Sequence, residues 1–218
     1  MDMINVLDKV QPKNKAQLKS LIEYAFNHNI YDLNFIDTRK ITDMSELFGN
    51  VEHDFDVSSW DVSNVTNMEF MFYKCSMFTG KGLENWDVSN VPDMTCMFNG
   101  CKNFNCDLSN WDVSNVINMY ALFRKCNKFT GKGLENWDVS NVTNMTSMFA
   151  ECEKFDCDLS NWDVSKVEDM RYMFYSCKNF KGKGLENWDV SKVKDMHYMF
   201  NGCDKMTIPN WYKLYHRK

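Results

Sequence analysis

Leu83-Glu84-Asn85-Trp86-Asp87-Val88-Ser89-Asn90-Val91-Pro92-Asp93-Met94-Thr95-Cys96-Met97-Phe98-Asn99-Gly100-Cys101 returns with small changes along most of the chain. Its anchor is Trp-Asp, at Trp60-Asp61, Trp86-Asp87, Trp111-Asp112, Trp137-Asp138, Trp162-Asp163 and Trp188-Asp189. The spacings are 26, 25, 26, 25 and 26 residues, so the true unit is a 51-residue pair of coils. A fixed period of roughly 20–50 residues marks a chain in which each unit stacks only on its neighbours. A residue that every coil repeats is then more often structural than functional.

Within a coil two periods alternate. Trp86 and Val88 flank Asp87 with period two, which predicts a short strand with Trp and Val on its inner face. Val91, Met94, Met97, Phe98 and Cys101 follow at spacings of three and four, which predicts one side of a short helix or helical turn. Asn67, Asp93, Asn118, Asn144, Asp169 and Asp195 precede the first Met and suit a helix N-cap, since a short side-chain oxygen can accept free first-turn amides. Strand, turn, helical segment and return loop within one coil is the plan of a leucine-rich repeat.

The Trp-Asp-Val-Ser-Asn-Val-Thr-Asn-Met block, with its Met-Phe-x-x-Cys sequel, resembles the BspA-type leucine-rich repeat of bacterial, protist and mycoplasma surface proteins. The resemblance covers roughly residues 36–203, and Asn14 to Leu47 resembles the helix and first coil that open many such domains. It implies an α/β solenoid, a right-handed stack of about seven coils of 25 or 26 residues. A parallel sheet would line one face and short helical turns the other, with a capping helix at the start. It also implies a non-enzymatic recognition surface, often extracellular. Residues 1–35 are expected to form an N-terminal cap, 36–203 the stack, and 204–218 a C-terminal cap with a basic tail, all within one domain. In the N-terminal cap Leu18, Leu21, Ile22 and Ala25 share a face, and Asn14 with Gln17 reads as a capping box.

Sixteen Met and sixteen Phe fall into place on this frame. Met68, Met94, Met119, Met145, Met170 and Met196 form one inner column, and Phe72, Phe98, Phe123, Phe149, Phe174 and Phe200 another. Six of nine cysteines (Cys75, Cys101, Cys126, Cys152, Cys177, Cys203) form a third and read as small core residues. Cys106 and Cys157 match no zinc spacing and no His recurs beside them, so neither metal nor cofactor is expected. The four His are scattered, and no nucleophile–base set can be assembled; an enzyme is not expected. Gly80-Lys81-Gly82 and its repeats lack the spacing of a phosphate-cradling loop and read as turns with a tolerated Lys. A net charge of −5 argues against a nucleic-acid partner. No apolar run long enough to span a membrane and no signal peptide is visible, so the sequence as given suggests a cytoplasmic protein. The family resemblance instead implies the cell surface or export by a non-classical route.

The expected partner is another protein, with self-association as the alternative. The strand face is the expected binding surface, because a regular row on rigid strands loses little entropy on binding, and the opposite face is its rival. On the strand face Asp87, Asp112, Asp138, Asp163 and Asp189 would form a row with Asn110, Asn136 and Asn161. Adjacent carboxylates at the ~4.8 Å strand spacing would repel by ~0.9 kcal/mol even in water. Hydrogen bonds within the sheet, cations or a basic partner could offset that. The opposite face varies from coil to coil: Glu69-Phe70, Thr95-Cys96, Tyr120-Ala121, Thr146-Ser147, Arg171-Tyr172 and His197-Tyr198, then Tyr73, Asn99, Arg124, Ala150, Tyr175 and Asn201. Phe70, Tyr73, Tyr120, Arg171, Tyr172, Tyr175 and Tyr198 are its candidate contacts, because Tyr and Arg dominate interface hot spots.

Overall fold

Each coil is built from pairs of four-residue turns. In the coil of Met94, Met97 N–H bonds back to Met94 O at 3.2 Å and Cys101 N–H to Phe98 O at 3.0 Å. The third residue of each turn takes a positive φ, Cys96 at 54° and Gly100 at 86°. The same two slots are positive at Phe70 and Lys74, Ala121 and Lys125, Ser147 and Glu151, and Tyr172 and Ser176. A left-handed residue every fourth position cannot continue a right-handed helix. The predicted helical side is therefore a run of turns, and its three-and-four spacing arises because each turn begins and ends facing the core.

The computed structural model describes residues 9–215. Two α-helices, α1 (Lys15–Asn27) and α2 (Asn210–Tyr215), stand near its ends, with single 3-10 turns at Leu83–Asn85, Leu134–Asn136 and Leu185–Asn187. Among the described residues there is no β-strand, only isolated parallel bridges such as Asp93 to Asn118 and Asn118 to Asn144. The expected α/β solenoid of leucine-rich-repeat type, with a parallel sheet on one face, is thereby overturned. The Trp-Asp-Val segment makes no ladder. Trp86 N–H turns back to Leu83 O and Val91 N–H to Val88 O, both at 3.0 Å, so the segment is a short link between two turns.

Coil-to-coil backbone bonding lies on the other side. Met94, Cys96, Phe98 and Gly100 donate their N–H groups to the carbonyls of Asn118, Tyr120, Leu122 and Arg124 at 3.0, 2.8, 3.0 and 2.7 Å. The intervening amides close the turns, so alternate donors point forward and backward. Ile117 N–H returns to Pro92 O at 2.8 Å. The same backward bond recurs from Thr143 to Ile117 and from Glu168 to Thr143, both at 2.8 Å. Each contact thus has one backward bond beside several forward ones and is a lopsided ladder rather than a paired strand. The residues expected as N-caps sit at its start. They do accept amides through their side chains, as in Asn118 Oδ1 from Tyr120 N–H at 3.0 Å, but within a turn and not at a helix.

The Trp-Asp-Val side is held by side chains instead. Each Trp is buried and donates its indole N–H to a carbonyl of the coil before: Trp111 to Leu83 O at 2.8 Å, Trp137 to Leu108 O at 3.1 Å and Trp162 to Leu134 O at 2.8 Å. Trp211 follows the same rule, bonding Leu185 O at 2.8 Å with its ring stacked on Trp188. The Trp column thus runs on into the C-terminal segment. The Cys column works likewise, with Cys101, Cys126 and Cys177 each donating S–H to a Phe carbonyl one coil back at 2.9, 3.0 and 2.9 Å. Between these columns the Phe rings stack nearly parallel, Phe72 on Phe98 at 5.4 Å and Phe98 on Phe123 at 5.7 Å.

The ends and loops close by local means. In α1 Asn14 caps Gln17 N–H at 3.0 Å, while Gln17 reaches back to Lys13 N–H rather than Asn14. Leu18, Ile22 and Ala25 are buried; Leu21 is only half-buried. The Gly-Lys-Gly loops do more than turn. Lys132 pairs with Asp107 at 2.7 Å and Lys183 with Asp158 at 2.5 Å, each one coil back. These lysines, with Ser109 and Ser160, hold both carboxyls down at about 2. The second glycine is obligatory: at Gly133, φ is 93° and an added Cβ would lie 2.3 Å from Ser109 N. The tail residues His216, Arg217 and Lys218 lie outside the described residues, as does the segment before Lys9.

Denaturant melts test this packing. Trp137→Ala should cost at least ~3 kcal/mol, the range for truncating a buried large aromatic. The indole bond itself contributes only about 0.5–1.5 kcal/mol, because Leu108 O keeps a second donor in Trp111 N–H at 3.1 Å. Trp137→Phe should therefore be much milder than Trp137→Ala. Gly133→Ala, with backbone in its way and a left-handed φ to hold, should cost more than about 2 kcal/mol. A Trp137→Ala loss below ~1 kcal/mol would contradict the buried column.

Candidate functional site

Conversion of the sheet into turns changes what each face can offer. Asp87, Asp112, Asp138, Asp163 and Asp189 are exposed, but each turns inward on its own coil. Oδ1 of Asp112 accepts Ser114 N–H at 3.0 Å, and Asp138, Asp163 and Asp189 accept from Ser140, Ser165 and Ser191 at the same distance. Asp87 accepts both the amide and the hydroxyl of Ser89, at 3.1 and 2.6 Å. The Ser114 hydroxyl and amide hold the Asp112 carboxyl below the usual range. Asn110 and Asn161 donate to Glu84 O and Glu135 O of the coil before, at 3.2 and 3.3 Å. Asn136 is exposed, at the end of a 3-10 turn. The expectation for the strand face relied on a rigid sheet, and among the described residues there is none. What remains is a set of locally tied polar groups around a shallow hollow of about 280 Å³ at Asp87 and Asp112.

The variable side gathers its residues more closely. Thr146, Ser147 and Ala150 are small and buried, so their coil is recessed between two taller ones. Tyr120 and Arg124 rise on one side, and Arg171, Tyr172 and Tyr175 on the other. The result is a groove of about 590 Å³. Tyr120 is 37% exposed and Tyr172 39%, so both rings can be covered by a ligand. Tyr172 packs edge-on against Tyr175 at 5.8 Å and stacks on Tyr198 at 5.2 Å, which extends the wall by one coil. Of the candidate contacts on this face, Tyr120, Arg171, Tyr172 and Tyr175 line the groove. Phe70 and Tyr73 pack on each other at 5.7 Å two coils away and do not reach it.

Charge in the groove is unevenly matched. Arg171 lies across Asp169, with Nε at 3.0 Å and Nη2 at 2.6 Å from Oδ2, and Nε is 3.7 Å from Asp195. Arg124 is less well held. Its Nη2 meets Glu151 only at 3.5 Å, and its Nε–H is covered by protein with no acceptor. Lys125 shares the same Glu151 carboxylate at 3.7 Å. Two cations therefore face one loosely placed anion. Arg124 and Glu151 were not among the candidate contacts; the only signal for Arg124 was its place in the variable column.

Among the described residues the other buried side-chain nitrogen and oxygen atoms have partners, except Thr146 Oγ1 on the groove floor. A second hollow of about 520 Å³ holds Lys81, Glu84, Cys106 and Asp107. There Glu84 Oε2 accepts Gly82 N–H at 2.8 Å and the Cys106 thiol at 3.6 Å. Burial pushes Cys75, Cys106, Cys157 and Cys203 up to about 12, and Cys101, Cys126 and Cys177 well above their usual value. None is then a thiolate near neutral pH. Among the described residues no group of three or more His, Cys, Asp or Glu side chains is placed to hold a metal ion. No described helix is long and apolar enough to cross a membrane.

The repeat, its turns and its inner columns define a family. Residues 16–132 and 107–211 match the family described as Mycoplasma protein of unknown function, DUF285, and the chain belongs to it. No curated protein matches the chain, and no solved structure does. The leucine-rich-repeat assignment finds no support in the family match and is contradicted by the absence of strands among the described residues.

Thiol titration checks the burial of the cysteines. With a disulfide reagent at pH 8, all nine should resist in the folded protein and react promptly in denaturant. Rapid reaction of several cysteines without denaturant would mean that the column is open or that their protonation is not raised.

Proposed function

We propose that this protein is a non-enzymatic recognition scaffold that holds another protein against the variable side of its coil stack. The supporting observation is the recessed coil at Thr146, Ser147 and Ala150, walled by Tyr120, Arg171, Tyr172 and Tyr175. Tyr and Arg are the side chains that concentrate binding energy at interfaces, and a concave setting lets them be desolvated. They stand on a backbone tied coil to coil by 2.7–3.0 Å bonds, so little order has to be gained on binding. The likeness of the repeat to BspA-type surface proteins belongs to the same proposal, as a likeness of sequence and role without the sheet.

Self-association by end-to-end stacking is the weaker reading. The last Trp slot is filled by Trp211 from α2, and Tyr212 of that helix packs edge-on to Phe200 at 4.8 Å. At the other end Leu18, Ile22 and Ala25 of α1 are buried. Both ends of the stack are thus covered by helices.

Selection of a random peptide library on the immobilised protein would test the recognition role. Sequence-related peptides should emerge, and Tyr172→Ala with Tyr175→Ala should weaken them at least tenfold, the scale of a hot-spot loss. Asp112→Asn, Asp138→Asn and Asp163→Asn together should leave them bound. Failure to enrich any sequence, or binding that survives the tyrosine changes and fails with the aspartate changes, would overturn the proposal.

A further inference from the structure

We infer that the groove accepts an extended acidic segment of a partner protein, one carboxylate of which seats against Arg124 and Lys125 in the place Glu151 now holds. This rests on the recognition role proposed above and adds the chemistry of the partner.

Three observations lead to it. First, the charges do not balance: Arg124 and Lys125 share one carboxylate, at 3.5 and 3.7 Å. Those distances are long for charge-assisted bonds, which close to about 2.7–2.9 Å when well made. Second, the accessible end of the guanidinium is short of acceptors. Arg124 has five N–H donors in a fixed fork. Its Nε–H is covered by protein and closed to a ligand, while at the outer nitrogens only Nη2 meets a carboxylate, at 3.5 Å. A planar carboxylate matches that fork two bonds at a time, which neither a hydroxyl nor an amide can do. Third, Glu151 is itself held by its backbone at a left-handed φ of 65°, which fixes where its side chain starts and limits its reach. It is a local stand-in for an acceptor that fits better.

The walls argue for an extended chain rather than a compact ligand. The recessed floor of Thr146, Ser147 and Ala150 runs along one coil, with Tyr120 on one side and Tyr172 on the other. Aromatic-walled grooves of this shape suit extended segments, whose backbone needs no internal bonds and whose rings or prolines lie against the tyrosines. Arg171 does not compete for the incoming charge, because Asp169 already occupies it two bonds deep. The site therefore has one loosely paired cation, Arg124, and aromatic surface on either side of it.

Opposite charge changes at the two residues test the inference. The probes are the library-selected peptides that Tyr172→Ala with Tyr175→Ala releases, each paired with a version in which its acidic residues become amides. The expected results are that these peptides carry Asp or Glu at a fixed position and that amidation weakens them about tenfold. Arg124→Gln should weaken the acidic version about tenfold and abolish the difference between the pair. Glu151→Gln should strengthen it by about threefold, since an internal competitor is removed, and the gain should shrink in high salt. Thermal melts of both variants control for folding. Tyrosine-dependent peptides without a fixed acidic position, or peptides indifferent to both Arg124→Gln and Glu151→Gln, would sink this inference and leave the recognition role standing. Peptides that do not depend on the tyrosines would overturn both.

Discussion

Backbone donors that point from one coil to the next set the terms for everything else in this structure. Phe98, Phe123 and Phe149 each give an N–H to the following coil at 2.9–3.0 Å, and the residues between them must turn their amides back within the coil. Alternation of that kind requires a left-handed residue at every fourth position. Glycine would supply it most easily, yet the chain often uses Phe70, Lys74, Ala121, Lys125, Ser147, Glu151, Tyr172 and Ser176 instead. Each costs roughly 1–2 kcal/mol relative to the right-handed conformation. The offset comes from inter-coil bonds, and one result matters for function. The strained positions carry real side chains, and Ser147, Glu151 and Tyr172 are among those that shape the groove.

The inner columns are chosen by their donors as well as their volume. A coil that turns so often leaves carbonyls facing inward, at Leu83, Leu108 and Leu134 and at Phe72, Phe98 and Phe149. A buried carbonyl benefits from a second donor. Trp provides one through its indole N–H and Cys through its thiol, and both do so one coil back. Phe or Val would fill the space and bring no donor. This explains why Trp and Cys repeat as strictly as the apolar Met and Phe. It also explains why the six cysteines of the column form neither disulfides nor reactive thiolates.

The coil length and the inner columns were legible from the repeat, because burial leaves a strict periodic trace. Secondary structure was not. Met94, Met97, Phe98 and Cys101 face inward at three-and-four spacing whether the backbone is a helix or two successive turns, and nothing in their side chains separates these cases. Only the residues at positive φ do, and in these turns they are mostly other residues, such as Cys96 and Tyr172, rather than glycine, so the usual marker is missing. Trp86-Asp87-Val88 read as a strand for the same reason: alternate burial is common to a strand and to a short link between turns. The groove was half legible. Its tyrosines stood out as variable positions. The recess that makes them a site comes from three small neighbours, Thr146, Ser147 and Ala150, and small residues carry no signal until the flanking coils are in place.

Residue-resolved hydrogen exchange would test the central claim that the coils are joined on the turn side and not by a sheet on the Trp side. The amides of Phe98, Phe123 and Phe149, each bonded to the next coil, should be among the slowest to exchange. Those of Asp112 and Val113 donate to no protein group among the described residues, and Asp112 is exposed, so its amide should exchange early. The reverse order, with Asp112 and Val113 protected and the phenylalanine amides fast, would mean that the strands lie where the Trp-Asp-Val pattern first suggested and that this account of the fold is wrong.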